Sequence, residues 1–182
     1  MAIQTRMTAK EFLALPESNL PIELIHGEVT MSPTPTPDHQ RVVGDVFFFV
    51  KQMAKAHGGQ AFVAPLDVYL DEENVVQPDV LWIAPESRCT VGENCLNGAP
   101  DLVIEVLSPS TARRDKTAKF RLYEKHGVGE YWMVDPAAQY VEVWQAQAGK
   151  FTQKGVYGPG ETFNMAVFPG SEAADVTVIL GS

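Results

Sequence analysis

The stretch Asp101-Leu-Val-Ile-Glu-Val-Leu-Ser108 decides the fold, because it reads as an apolar strand with one residue out of character. Successive side chains of a strand point to opposite faces, so Leu102, Ile104 and Val106 share one side, and Asp101, Val103, Glu105 and Leu107 share the other. Glu105 is the odd residue. Buried ionised and alone it would cost several kcal/mol or shift its pKa upward, so it must be solvated, paired or metal-bound.

Outward in the C-terminal direction, Ser-Pro-Ser-Thr leads to a helix predicted from about Ala112 to His126 and closed by Gly127. The strand EYWMVD (130–135) follows. Two strands joined by a helix suggest a mixed sheet with a crossover connection. The turn Pro136-Ala-Ala-Gln139 returns the chain into YVEVWQAQ, and the tail reads as short strands such as KFTQKGVY and DVTVIL.

Outward in the N-terminal direction, a polar loop spans Pro85 to Pro100. Before it, AFVAPLDVYL and VVQPDVLWIA read as strands of a hairpin turned at Asp71-Glu-Glu-Asn74. The most secure helix starts at Asp38 as N-cap. There Val42, Val43, Val46, Phe47, Val50 and Met53 recur at three- and four-residue steps until His57-Gly58-Gly59. The proline-rich loop SPTPTPDH precedes it, and PIELIHGEVTM, carrying Glu23 and Glu28, reads as a strand or hairpin. Thr8-Ala-Lys-Glu11 has the form of a capping box and starts a short helix ending near Pro16. The fold class is α/β or α+β.

The 182 residues, 45% of them apolar, suit one domain over 1–182. No run is apolar enough for a bilayer crossing, and MAIQTRMTAKEF lacks a signal-peptide pattern, so no membrane is expected and the location reads as cytoplasmic. Cys89 and Cys95 are spaced too widely for a zinc knuckle. The formal charge of −9 argues against broad coating of a polyanion. From Arg113 to Lys125, however, six basic residues face two acids, leaving eight basic against twenty-one acidic residues elsewhere. Such a segment suits a local anion site.

Asp79 raises the same question as Glu105, since it follows Pro78 and opens the apolar run VLWIA. Two acids near strand ends could share one hard cation, because Mg²⁺ takes one or two protein carboxylates and leaves its other positions to water and phosphate oxygens. Phosphodiester hydrolysis suits that arrangement. Spacing alone leaves a structural reading equally open, with Asp79 a loop acid and Glu105 paired to a helix lysine.

The succession ELIHGE, SPTPTPDH, QPDV, PDLVIEVLSPST, D-K-x-x-K-x-x-x-Y and GVGEYWMVD resembles the Uma-type family, labelled restriction endonucleases, within the PD-(D/E)XK nuclease superfamily. The resemblance covers about residues 21–144. It implies a restriction-endonuclease-like fold with a mixed central sheet flanked by helices, a Mg²⁺ or Mn²⁺ cofactor, and nucleic acid, DNA first, as the substrate. Asp79 then takes the first acidic position and Glu105 the second. The superfamily's usual lysine lies two residues after the second acid, where this chain has Leu107, which can neither donate nor carry charge. The resemblance draws the cation from the following helix instead: Lys119, with Lys116 in reserve. The other reading of Lys119 is an ion pair with Asp115 on a solvated helix face.

Glu23 and Glu28 match acids of the family's first motif, Glu23 being preferred as the assisting group. His39 matches a position at the start of the long helix, suited to phosphate contact or proton transfer. Asp115 and Tyr123 lie four residues before and four after Lys119, on the same helix face, and could orient it. A homodimer would pair two such sites. Leu107 and the acidic balance also motivate a second reading, a nuclease-fold protein that binds without cutting.

Overall fold

The structure, a computed structural model, describes residues 6–16 and 20–181; the first five residues, part of the stretch read for a leader, lie outside them. Helix α1 (Ala9–Leu13) begins with the expected capping box, Thr8 and Glu11 exchanging bonds. Strands β1 (Ile22–Ile25) and β2 (Glu28–Met31) form the first hairpin, turned at His26-Gly27.

Helix α2 (Pro37–His57) starts earlier than Asp38, because Pro37 fits the first helical position and the Thr36 side chain accepts the His39 amide at 3.2 Å. Its Val42, Val43, Val46, Val50 and Ala54 are buried, as the periodicity requires.

Each of the next two apolar runs divides in the middle. AFVAPLDVYL becomes β3 (Gln60–Val63) and β4 (Val68–Asp71), and VVQPDVLWIA becomes β5 (Asn74–Val76) and β6 (Val80–Ile83). The prolines at 65 and 78 deny backbone donors at the breaks. The inner halves pair as the expected hairpin, whereas β3 and β6 pair in a different sheet.

The polar loop holds two short strands, β7 (Thr90–Val91) and β8 (Leu96–Asn97). Strand β9 (Leu102–Val106) is buried throughout. The helical segment after it is α3 (Ala112–Arg114), a π turn (Asp115–Lys119) and α4 (Phe120–His126), closed by Gly127 in the left-handed conformation. Strands β10 (Glu130–Asp135), β11 (Tyr140–Gln147) and β12 (Lys150–Tyr157) follow, then the short pair β13 (Thr162–Phe163) and β14 (Ala174–Asp175).

The tail differs from expectation at its end, where DVTVIL is not a strand but helix α5 (Val176–Leu180). Asp175 caps it by accepting the Thr177 amide at 2.8 Å, and Val176, Ile179 and Leu180 are buried at helical spacing.

Two mixed six-stranded sheets result, ordered β12-β11-β10-β9-β6-β3 and β2-β1-β5-β4-β8-β7, where one central sheet was expected. Strands β9 and β10 are parallel neighbours, as the helical connection required. One core cluster fills the space between the first sheet and α2 with α5. Another joins the opposite face, including Val103 and Leu107, to α4 and the second sheet. Glu105 projects into this second interior, on the face that alternation assigns it.

Candidate functional site

Strands β6 and β9 run antiparallel with Val80 opposite Ile104, which places Asp79, one step earlier, level with Glu105. The Oδ2 atom of Asp79 accepts the Val106 amide of β9 at 2.8 Å, so the loop before β6 is tied to the neighbouring strand by the acid itself. Glu105 is 3% exposed. Its Oε1 accepts from Lys119 Nζ at 2.8 Å and from the Tyr123 hydroxyl at 2.7 Å.

Lys119 reaches Glu105 from the π turn. Such a turn widens the helix by a residue, and here the Phe120 amide bonds back to the Asp115 carbonyl. Asp115 and Lys119, at the two ends of the turn, are both buried, with Nζ 3.7 Å from Asp115 Oδ1. The ion pair with Asp115 therefore exists, but in the interior and not on a solvated face.

Glu23, from β1 of the other sheet, contributes Oε1 at 2.8 Å from the same Nζ and accepts the Gln77 amide with that oxygen at 2.9 Å. Arg114 stands beside it, Nε 3.9 Å from Glu23 Oε2, and donates through Nη2 to Ser32 Oγ. Its buried Nε has no hydrogen-bond partner among the described residues.

His39 projects from the first turn of α2. With Nε2 protonated it donates to the Val106 carbonyl at 2.9 Å, 3.5 Å from Asp79 Oδ2, and its buried Nδ1 has no partner among the described residues. Burial works to lower its pKa, but the carboxylate of Asp79, the Val106 carbonyl and Asp115 outweigh it and raise the imidazole above its ordinary value.

These groups line a cavity of about 330 Å³. Its floor carries Glu23, Glu105, Asp115 and Lys119, and its walls are the residues 33–36 and 108–111.

Two candidate residues fall outside. Glu28 is exposed on β2 and is not part of the cavity. Lys116 is exposed, donates to the Tyr140 hydroxyl at 2.9 Å and lies 3.9 Å from Glu142. Arg114 is a residue that sequence reasoning counted only as one charge of the basic segment. Its position next to Asp115 was the available signal. Tyr123 was read as orienting Lys119, whereas its hydroxyl meets Glu105.

Burial pushes the Glu105 carboxyl well up and the nearby Asp115, Asp79 and Glu23 add to this, against the lowering pull of Lys119. For Lys119, burial favours the neutral amine, but Glu105, Glu23 and Asp115 outweigh it and hold the ammonium well above its ordinary range. We take the lysine as charged, because Oε1 atoms of two carboxylates face one Nζ at 2.8 Å.

Among the described residues no three of His, Cys, Asp and Glu converge as a preformed metal centre would. The donor set still fits a hard divalent cation, which needs only one or two carboxylates. The second oxygens, Asp79 Oδ1 and Glu105 Oε2, carry no hydrogen bond among the described residues. Counted as carboxylates, Glu23, Asp79, Glu105 and Asp115 exceed the cations Lys119 and Arg114 by two charges while His39 is neutral and by one when it is protonated, an excess that a divalent cation would offset.

The mixed sheet β12-β11-β10-β9-β6-β3, with helices α2 and α5 packed on it, gives the chain a restriction-endonuclease-like α+β fold. The fold matches that of a solved protein from Anabaena variabilis, described as "a putative nuclease belonging to DUF820". The TM-score is 0.80 at 24% identity, over 96% of this chain and 98% of that one. Residues 9–177 match the family described as "Uma2: Putative restriction endonuclease", and the chain belongs to that family. A curated relative, "Uncharacterized protein sll1609" of Synechocystis sp., is 29% identical over 142 residues, 76% of this chain and 80% of the relative.

Proposed function

We propose that this protein is a nuclease that hydrolyses phosphodiester bonds, DNA being the proposed substrate, with Mg²⁺ or Mn²⁺ held by Asp79 and Glu105. One observation carries the reading: a buried ammonium, Lys119 Nζ, placed 2.8 Å from a carboxylate on each of two sheets at the floor of an open cavity. Purely structural packing would gain little from such a cluster, since buried ion pairs roughly break even against apolar side chains. Family membership supports the same reaction class.

The bound cation would polarise the phosphate and make water a better nucleophile at neutral pH. The remaining work falls to the chain. Lys119 and Arg114 supply positive charge where the phosphorane develops negative charge, and both are fixed beforehand by Glu23, Glu105 and Ser32. Tyr123 holds the Glu105 carboxylate in place through its hydroxyl. His39 is tied to Val106 by one ring nitrogen, and its Nδ1, without a partner among the described residues, would move a proton.

The binding-only reading rested on Leu107 and on the acidic balance. Leu107 is buried in the core, and the ammonium of Lys119 at 2.8 Å from Glu105 supports a cation supplied from the helix instead. The geometry thus favours the catalytic reading.

Calorimetric titration with Mn²⁺ tests the cofactor assignment. Binding to the wild type that is lost in both Asp79→Ala and Glu105→Gln is expected. Binding retained in both variants, or absent from the wild type, contradicts it.

A further inference from the structure

Beside the cavity lies a second depression, of about 370 Å³ and open to solvent, lined by Met31, Pro33, Ser110, Arg113, Arg114 and Thr117 among others. The two share Pro33, Ser110 and Arg114, so the outer groove is a continuation of the inner cavity. Its chemistry is mixed. Arg113 is exposed, Met31 at the edge of β2 is 61% exposed, and Thr117 turns its hydroxyl back to the Arg113 carbonyl at 2.6 Å. An exposed cation beside an apolar surface formed by Met31 and Pro33 fits a strand of nucleic acid, phosphate on the cation and base on the apolar side.

We propose that this groove is a binding subsite for single-stranded nucleic acid, guiding one unpaired strand past Arg113 and Arg114 into the cavity. The inference rests on the nuclease reading of that cavity and adds the form of the substrate.

Three observations favour an unpaired strand over a duplex. The polar groups at the cavity floor, Glu23, Glu105 and Lys119, are only 3–4% exposed, and the walls 33–36 and 108–111 stand above them. A duplex is stiff over about 50 nm, so fitting one of its phosphates to a recessed floor costs it bending energy. A single strand bends freely. The groove also holds two arginines, which suits contact with a few phosphates. Finally, outside residues 113–125 the chain is strongly acidic, which penalises the wide contact that duplex binding draws on.

The test is fluorescence anisotropy of the full chain in chelator, with labelled oligonucleotides of about 12 nucleotides. Single-stranded DNA, single-stranded RNA and a DNA duplex of the same length form its three arms, and Arg121→Ala, an exposed site on the same helical segment, serves as control. The better single strand is expected to bind about tenfold more tightly than the duplex. Arg113→Ala should make its salt slope shallower by about 0.7, the loss of one phosphate contact. Met31→Ala should weaken it without changing that slope. Duplex binding as tight as single-strand binding, or an Arg113→Ala protein that behaves as Arg121→Ala does, overturns the subsite.

Cleavage by the wild type with Mg²⁺ or Mn²⁺ is scored separately. Single-strand preference without any cleavage would sink the nuclease reading and leave the subsite standing. Cleavage without that preference would do the reverse.

Discussion

Lys119 presents one ammonium to carboxylates of Glu23 and Glu105 at 2.8 Å while only 4% exposed. Removing one member of such a cluster leaves the others buried and uncompensated. Lys119→Met is therefore expected to lower stability by roughly 3–5 kcal/mol, read by urea denaturation. Adding Glu105→Gln removes one of the stranded charges, leaving Glu23 and Asp115, and should return part of that loss. A double variant no more stable than the single one would show that the pairing does not govern the site.

At this scale strand alternation was informative, since it singled out Glu105; the preference for Glu23 over Glu28 came from the family resemblance, and the structure buries Glu23 and leaves Glu28 in solvent. It was less informative on the helix. A spacing of 3.6 residues does not foretell a π turn, so the burial of Asp115 and Lys119, and the entry of Arg114 into the cavity, could not be read from periodicity.

The elements show how local signals decide boundaries. The Gly127 cap was legible, and its φ of +80° explains why glycine is wanted there. Nothing lies within contact of an added Cβ. Gly127→Ala should accordingly cost only backbone strain, about 1 kcal/mol, and lower the Tm by roughly 2–4 °C in thermal melts. An unchanged Tm would argue against the left-handed cap.

Helix α5 was misread because Val-Thr-Val-Ile alternates like a strand; Asp175 as a cap and the burial of Val176, Ile179 and Leu180 override it. The division of AFVAPLDVYL and VVQPDVLWIA between two sheets was also missed. Each proline marked a break, but which sheet a half joins depends on partners distant in sequence.

Across the whole molecule, the second sheet is fastened to the end of α4 by Asp71. It accepts from Lys125 at 3.2 Å, is bridged to His126 Nε2 at 2.9 Å, and takes bonds from Asn74 and the Glu73 amide. Partial burial works to raise its pKa, but the bonds from Asn74, Glu73, Lys125 and His126 prevail and hold it down to about 2. A carboxyl lowered on folding contributes fully above its unfolded pKa, about 3.9, and loses that contribution as pH falls through about 2. Between pH values of about 4 and 2 the wild type should thus lose more stability than Asp71→Asn does, read by denaturant midpoints. Parallel acid profiles would exclude Asp71 as the fastening.

The central claim is a reaction at Asp79, Glu105 and Lys119, and nucleic-acid cleavage is its most direct measurement. Purified protein with Mg²⁺ or Mn²⁺ should cut a DNA or RNA strand, and Asp79→Asn, Glu105→Gln and Lys119→Met should each lower the rate by a factor on the order of 100 or more. Arg121→Ala should leave it unchanged. Failure to cleave any nucleic acid with either metal, or cleavage by Asp79→Asn at the wild-type rate, would contradict the account.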